Sequence, residues 1–311
     1  MQLVSNPEGI LPRRSWMAFS QVSQDVRVDG AGQSRVAADD ARFPTALRLI
    51  PSPPDFLWCR GRLPAPAERL FAVVGARAAT RASCNRASEI ARGLARTGAA
   101  IVSGGAFGID AAAHEGALAE SAPTFAVLGC GTDVVYPDRH RDLFGRIVAS
   151  GGLLSEYSPG TPPRRGQFPA RNRLIAGLAQ AVIIVEAAFR SGALITARLA
   201  RTFSRPLFSV PGSPGTDALV RSGRALPAAS ADDVLRALAG EYAPSATAPG
   251  APDRFAAILD AIQPGLNSPA DLCKHLGMAL PSLLAALAEA ELEGFVKRAA
   301  GNTYEVIGRE Y

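Results

Sequence analysis

The amino-acid sequence predicts an α/β fold, in which helices cover both faces of a doubly wound, mainly parallel sheet, with a smaller domain at the C-terminal end. Short apolar segments alternate with longer helical patterns between about residues 70 and 238, an order typical of parallel sheets. The segments are almost continuously apolar, as in Val182-Ile183-Ile184-Val185, because strands inside a parallel sheet are buried on both faces. A chain of 311 residues, 48% hydrophobic and 20% charged, is long enough for one large and one small domain.

Five apolar runs are the predicted strands, and they occupy residues 71–74, 99–102, 124–128, 181–185 and 206–210. Each of the first four ends in a turn of small residues that leads into a helix, such as the helical pattern over 80–96. Helix N-termini present unpaired N–H groups and the positive end of the helix dipole. Glycines let a ligand approach the backbone closely. The sequence therefore predicts that one edge of this sheet binds an anion.

The chain before these strands carries weaker signals. Residues 1–40 show no clear hydrophobic period and many Ser, Gln, Asp and Gly, so we expect a loosely ordered segment. Residues 41–240 form the predicted main domain, which opens with a Pro-rich lead-in anchored by Leu57 and Trp58. The sequence shows neither a secretory signal nor an apolar run of the ~20 residues that span a bilayer. We therefore expect a cytoplasmic protein without membrane contact.

Residues 253–311 show the order of a winged-helix domain, joined to the main domain by an Ala-, Pro- and Ser-rich linker over 241–252. Helical patterns at 253–262, 268–276 and 281–293 precede a predicted hairpin of 295–298 and 303–307. The third helix usually reads DNA, yet here it contains three Glu and no Arg or Lys. The domain carries five basic and eight acidic residues, a net charge of −3, which leaves +8 for the rest of the chain. Nucleic acid is therefore predicted to bind the α/β domain, and the winged helix to meet protein.

The segment from 157 to 185 contains no Asp or Glu. It carries four arginines with an aromatic side chain among them, namely Arg164, Arg165, Phe168, Arg171 and Arg173. Guanidinium groups pair with phosphates through a planar fork, and an aromatic ring can stack on an unpaired base. Holding a single nucleic-acid strand requires this combination, although composition alone leaves a solvated basic loop as the alternative.

The remaining composition narrows the chemistry. The net charge of +5 and the pI near 9.3 favour an anionic partner. Both lysines of the chain lie after residue 252, so the α/β region lacks a Schiff-base or phosphate-binding lysine. The dinucleotide fingerprint G-x-G-x-x-G is broken at Val134, and no Walker A motif occurs. The four cysteines form no C-x-x-C pair, so we expect no zinc site, no other metal, no disulfide and no cofactor.

A few titratable residues could serve as acids or bases. Asp110 and His114 lie four residues apart at a helix start, where an acid–base pair is conceivable. The favoured interpretation is local, with Asp110 interacting with the helix dipole and His114 packing or hydrogen-bonding nearby. His140 is expected to hold a turn. Glu186 ends a strand at the edge where ligands bind, and we expect it to orient residues 171–173 through a charge-assisted pair rather than to act as a base. Enzymatic activity is not predicted.

A set of specific segments occurs in a fixed order along the α/β region. They are SGGAFGID at 103–110, AVLG at 126–129, SEY at 155–157, FPARNRLIAGL at 168–178 and VPG at 210–212. Together they resemble the DprA/Smf family, named for DNA-processing protein A. The resemblance covers about residues 43–238. It implies an extended Rossmann-like domain, with a C-terminal winged helix of the kind that many members carry.

The resemblance also implies a function. Members bind and protect incoming single-stranded DNA, dimerise, and load the RecA recombinase onto DNA displaced from single-strand-binding protein during natural transformation or recombination. The family's phosphate-binding arginine corresponds to Arg77 here. The predicted DNA-binding residues are Gly75, Arg77, Ser103, Gly104, Gly105, Phe107, Arg164, Arg165, Phe168, Arg171, Asn172, Arg173, Ser191, Gly192 and Thr196. Short Ala- and Leu-rich helices at 216–222 and 232–238 could serve self-association, although core packing is the commoner use of such residues.

Two other classes of function stay open. Nucleotide-processing proteins that resemble the LOG phosphoribohydrolases share a Gly-rich fold of this kind. Those proteins carry a Pro-Gly-Gly-x-Gly-Thr turn, which Arg190-Ser191-Gly192 does not match. The third class is an adaptor or sensor that binds a nucleotide. Comparing the binding of oligonucleotides and mononucleotides separates the three classes.

Overall fold

A computed structural model describes residues 32–189, 191–241, 253–262, 267–292, 295–299 and 301–306, which form an α/β domain and a small C-terminal domain. Within these ranges, no helix is both long and apolar enough to cross a membrane.

The α/β domain is built on one nine-stranded sheet, counted over the described residues. Its strands are β1 (Gln33–Ala37), β2 (Phe56–Gly61), β3 (Leu70–Val74), β4 (Ala100–Ser103), β5 (Thr124–Val127), β6 (Gly152–Ser155), β7 (Ala181–Ile184), β8 (Leu207–Ser209) and β9 (Leu226–Pro227). The spatial order is β1-β2-β6-β5-β4-β3-β7-β8-β9. Strands β3 to β9 pair in parallel, whereas β1 and β2 add antiparallel strands at one edge. The predicted Rossmann-like, mainly parallel sheet is confirmed.

Helices cover both faces of this sheet. They are α1 (Thr45–Arg48), α2 (Arg81–Arg96), α3 (Ile109–Ala119), α4 (Arg141–Ser150), α5 (Gln167–Leu178), α6 (Gly192–Thr202), α7 (Pro214–Arg221) and α8 (Ala231–Leu238). Alternate residues of β3 point to opposite faces. Phe71 and Val73 join the core with α2, α3 and α8, and Ala72 and Val74 join the core with α1, α5, α6 and α7. Helix α4 packs on the first of these faces, over β5 and β6.

The structure corrects one expectation for the α/β domain and adds strands that the sequence did not predict. The interpretation of residues 1–40 as loosely ordered is wrong for Gln33–Ala37, which form β1, while residues 1–31 lie outside the described ranges. Strands β2, β6 and β9 were not predicted, because they are short or contain polar residues and glycines. The Ala- and Leu-rich helices, now α7 and α8, bury Leu219 and Val234 in the two cores, in agreement with the packing alternative, and self-association stays a prediction.

The C-terminal domain has the predicted winged-helix order. Its elements are α9 (Asp253–Ile262), α10 (Pro269–Leu276), α11 (Leu280–Leu292), β10 (Val296–Ala299) and β11 (Thr303–Val306). The two strands form an antiparallel hairpin. Helix α10 begins where the Ser268 hydroxyl accepts from the Asp271 N–H (3.2 Å), and it ends at Gly277 with φ +65°. The predicted end of the third helix, residue 293, lies outside the described ranges, as do residues 307–311.

The order of strands reverses at one place in the sheet. From β3 the chain adds β4, β5 and β6 on one side, then crosses through α5 to place β7 on the other side of β3. The connecting helices change face at the same point, because α2 and α3 pack on one face and α5 and α6 on the other. In open α/β sheets, ligands bind at such switch points, outside the carboxyl ends of the strands.

Candidate nucleic-acid interface

A cavity of about 400 Å³ lies at this switch point, between the carboxyl ends of β3 and β7. Its walls come from the loop after β3, from the start of α5 and from the start of α6. Nine of the predicted DNA-binding residues line it, namely Gly75, Arg77, Arg165, Phe168, Arg171, Asn172, Ser191, Gly192 and Thr196. Segments that are far apart in the sequence therefore meet in one site.

Two exposed or half-exposed aromatic rings and one guanidinium form the rim of the cavity. The guanidinium carbon of the exposed Arg77 lies 4.9 Å from the centroid of the Phe168 ring, within cation–π distance. The Tyr136 ring lies 5.5 Å from the same centroid and is 42% exposed. Sequence reasoning missed Tyr136 as a site residue. The position of Tyr136 in the sequence could have identified it. Tyr136 follows the strand next to β4, so it lies at the same carboxyl edge of the sheet as the other site residues.

Two helices begin at the wall of the cavity. Helix α5 starts at Gln167, and α6 starts at Gly192 after Ser191. The Ser191 hydroxyl is buried and has no hydrogen-bond partner among the described residues. Helix N-termini carry unpaired N–H groups and the positive end of the helix dipole. The cavity is therefore suited to an anionic group, in agreement with the sequence-based expectation for this edge.

Arg171 is buried inside the site, with 4% of its surface exposed. Its Nη1 donates to the carbonyl oxygens of Gly104 (2.6 Å) and Val127, and its Nε donates to Asn172 Oδ1 (3.0 Å). A Cβ at position 104 would lie 2.2 Å from Arg171 Nη2, so only glycine leaves room for this guanidinium. Arg171 thus ties α5 to the ends of β4 and β5. Because its guanidinium is engaged in these hydrogen bonds, its role is to support the structure of the site.

A buried carboxyl offsets the charge of Arg171. Burial raises the pKa of Asp110, while the positive charge of Arg171 and the Ala106 N–H, which donates to Asp110 Oδ2 at 3.3 Å, act to lower it. Burial also lowers the pKa of Arg171 to about 10, against the opposing effect of Asp110. Arg171 therefore keeps its charge at neutral pH.

His114 and His140 have packing or positional roles, as expected. Burial lowers the pKa of His114 to about 3, and its Nδ1 lies 2.7 Å from Thr124 Oγ1. His140 Nδ1 lies 3.0 Å from the Gly105 carbonyl oxygen and holds that turn. His114 is thus a neutral packing residue whose hydrogen bond goes to a strand rather than to Asp110.

The expectation for Glu186 is wrong. Its Oε2 accepts hydrogen bonds from the N–H (3.0 Å) and the hydroxyl (3.1 Å) of Thr80, at the start of α2. The segment 171–173 finds another acid, because Arg173 pairs with Glu156. The reason is the sheet order: β7 pairs with β3, so Glu186 lies beside the loop that follows β3.

The other predicted residues lie beside the cavity or beneath it. Ser103 is buried and donates to the Val73 carbonyl oxygen (2.7 Å), in support of the strands. Gly105 adopts φ +66° in the turn above Phe144. Phe107 is 42% exposed and stands edge-on to His140, with 4.7 Å between ring centroids. Arg164 is exposed just before α5. Within the described ranges, no cluster of His, Cys, Asp or Glu could hold a metal ion.

Comparison with known proteins identifies the family of the chain. Residues 34–239 match the family model of DNA recombination-mediator protein A, and residues 242–302 match that of the DprA winged helix domain. The chain belongs to the DNA recombination-mediator protein A family. The family match confirms the resemblance to DprA/Smf proteins that the sequence motifs indicated.

Relatives of the family are similar over most of the α/β domain. Protein Smf of Synechocystis is 47% identical over 180 residues, which are 57% of this chain and 45% of that protein. DNA processing protein DprA of Streptococcus pneumoniae is 40% identical over 202 residues, which are 63% of this chain and 71% of that protein. The chain thus spans only about half the length of the Synechocystis protein.

Two solved structures share the fold. The X-ray structure of S. pneumoniae DprA has a TM-score of 0.59 at 36% identity, over 65% of this chain and 72% of that one. DNA processing protein A of Helicobacter pylori has a TM-score of 0.60 at 34% identity, over 68% of this chain and 97% of that one. The study of the H. pylori protein describes its single-stranded DNA binding mode.

Replacing Arg171 tests its internal role. We expect Arg171→Met to lower the free energy of unfolding by about 3 kcal/mol or more, because two buried carbonyls lose a donor and Asp110 loses its counter-charge. Without Arg171 the pKa of Asp110 rises further. The folded state then binds a proton more tightly than the unfolded state, so the deficit should shrink as the pH falls from 7.5 to 5.5. Urea unfolding at the two pH values measures both effects. Arg165→Met, at an exposed position, is the control, and equal stability of the two variants would contradict the assignment.

Proposed function

We propose that the cavity and its rim bind single-stranded DNA without strong sequence preference. The observation that carries this proposal is the exposed Arg77 stacked on Phe168 at the mouth of a cavity bounded by two helix N-termini. Guanidiniums and helix ends contact phosphates, and aromatic rings stack on bases of any kind. The H. pylori relative, whose study describes a single-stranded DNA binding mode, supports the proposal.

The shape of the site favours single strands over duplex. Tyr136 and Phe168 present ring surface at the entrance to a cavity of about 400 Å³. In a duplex, bases are paired and stacked and cannot reach such rings, whereas an unpaired base can leave its stack at little free-energy cost. Unpaired bases therefore match the aromatic rim, and the phosphates between them match the guanidiniums.

The arginines of the site divide between contact and support. Arg77, Arg164 and Arg165 are exposed and can reach phosphates, whereas Arg171 and Arg173 are engaged in internal hydrogen bonds. We therefore assign phosphate contact to the first three, and support of the site to the last two.

The role we propose is binding rather than catalysis. Three of the acids and bases at this edge are already engaged: Glu186 with Thr80, His114 with Thr124 and Asp110 with the Ala106 N–H. A general base must reach the proton that it removes, and the carboxylate of Asp110 and the ring of His114 are buried. Turnover of ATP or of a nucleoside monophosphate would contradict this proposal.

Removing Arg77 should weaken binding to all single strands alike. We expect Arg77→Ala to lower the affinity by about tenfold, the equivalent of ~1.5 kcal/mol for one hydrogen bond to a charged group. The slope of log affinity against log salt should become flatter by about 0.7, the value for one phosphate contact on a single strand. Fluorescence anisotropy of labelled oligonucleotides over a salt series measures both quantities. Arg96→Ala is the control, because Arg96 pairs with Glu120 at the far end of α2. Equal affinity for duplex and single strand would contradict the proposal.

Removing the winged-helix domain should leave single-strand affinity nearly intact. Residues 253–311 have a net charge of −3, so they supply little attraction for phosphates. A chain ending at residue 252 is compared with the full chain in the same anisotropy assay. Circular dichroism and light scattering establish that the shorter chain is folded and of unchanged oligomeric state. A large fall in affinity in such a chain would assign DNA contact to the winged helix.

Through its family we further propose a homodimer that protects incoming DNA and loads the RecA recombinase onto it during natural transformation or recombination. A twofold dimer would place two arginine-lined sites on one particle, and so raise strand affinity through effective concentration. We expect light scattering at micromolar concentration to give twice the mass of the chain. We also expect faster growth of recombinase filaments on DNA coated with single-strand-binding protein. A monomer that gives no acceleration would leave only the DNA-binding proposal.

A further inference from the structure

One residue contacts both ends of the loop that carries Arg77. At the start of the loop, the Ala76 N–H donates to the main-chain carbonyl of Glu186 (2.8 Å). At its end, the Thr80 N–H and hydroxyl donate to the carboxylate of Glu186, at 3.0 and 3.1 Å. Glu186 therefore holds both ends of the loop 75–80: its main chain binds the first end, and its side chain binds the second.

Glycines next to the loop show how closely it is held. A Cβ on Gly75 would lie 2.9 Å from the Glu186 carbonyl oxygen. On the other side, Gly108 at φ +74° packs against the loop, and a Cβ there would lie 2.4 Å from the Ala76 carbonyl oxygen and 2.6 Å from that of Arg77. The main chain of residues 75–77 is thus packed between Glu186 and Gly108, while the side chain of Arg77 is exposed above Phe168.

A carboxylate is an unexpected residue beside a phosphate-binding site. Hydrogen bonds from Ser83 and Thr80 hold the pKa of Glu186 below its usual value, against the raising effect of burial, so this group stays ionised. Its negative charge repels a DNA strand, and Coulomb attraction therefore cannot be its contribution to binding. At the start of α2, however, a carboxylate is stabilised by the unpaired N–H groups and the helix dipole.

We propose that Glu186 is a positioning residue for Arg77, which it serves by fixing both ends of the loop 75–80. This inference rests on the proposed binding of single-stranded DNA at the same site. The guanidinium can then meet a phosphate without first losing the freedom of a mobile loop, which strengthens binding through pre-organisation.

The sign of the effect separates positioning from simple charge. Removing an acid from a DNA-binding site strengthens binding if only charge matters. We expect the opposite for Glu186→Ala: an affinity about tenfold lower and a salt slope about 0.7 flatter, as for Arg77→Ala. In the double variant the second substitution should change affinity by less than about twofold, because the two residues act as one unit. Glu186→Gln keeps an acceptor for the Thr80 N–H and should retain most of the affinity.

Controls separate this role from loss of the fold and from failure of the proposed function. Asp138→Ala removes an exposed acid near Tyr136 without touching the loop, and should bind DNA at least as tightly as the native chain. Limited trypsin digestion, followed by mass spectrometry, measures the order of the loop without DNA. We expect faster cleavage after Arg77 in Glu186→Ala, with unchanged cleavage at Arg96.

Each outcome has a definite meaning. Unchanged or tighter DNA binding by Glu186→Ala, or equal cleavage after Arg77, would overturn the positioning role. General unfolding of Glu186→Ala would move the test to Glu186→Gln and Thr80→Ala, and an unchanged rate of cleavage after Arg77 in Thr80→Ala would again overturn it. A native chain that does not bind single strands would refute the proposed function. The digestion would still measure whether Glu186 orders the loop 75–80.

Discussion

The site depends on one buried guanidinium. Arg171 reaches from α5 across the carboxyl edge of the sheet and donates to Gly104 and Val127, which end two neighbouring strands. Burying a charge is expensive unless hydrogen bonds and an opposite charge compensate it. Here two carbonyl oxygens, an amide oxygen and the Asp110 carboxyl provide that compensation. Because the carbonyl partners of Arg171 lie at the ends of β4 and β5, the arrangement ties α5 to both strands.

These contacts of Arg171 determine what the neighbouring residues can do. Gly104 must be glycine because the guanidinium occupies the space of a side chain. Helix α5, fixed by Arg171, presents Phe168 to Arg77 and Tyr136 at the rim. On the other side of the cavity, Glu186 fixes the loop that carries Arg77. The exposed contacts are therefore few, while most charged residues at this edge hold the exposed ones in place.

The same division is the physical basis for the proposal that the site binds a nucleic-acid strand. Rigid support reduces the conformational entropy that is lost when a strand is bound. Asp110 balances the buried positive charge of Arg171, and Glu186 accepts hydrogen bonds at the start of α2. The net charge of the chain outside residues 253–311, +8, adds a long-range attraction for a polyanion, whereas the acidic winged-helix domain does not.

The sequence by itself determined the class of fold, the five central strands of the sheet, the winged-helix order and the segments that meet at the site. These features follow from local patterns, since hydrophobic period and small-residue turns report burial and chain direction. The sequence could not show that Arg171 is buried whereas Arg77 is exposed, because both are arginines near glycines. It also gave Glu186 the wrong partner and missed the strands on either side of the five central ones. Only the tertiary structure decided these, because the partners lie 67 residues apart for Arg171 and Gly104, and 106 apart for Glu186 and Thr80. Whether a charge is buried depends on which strands are neighbours in the sheet, and no local pattern specifies that order.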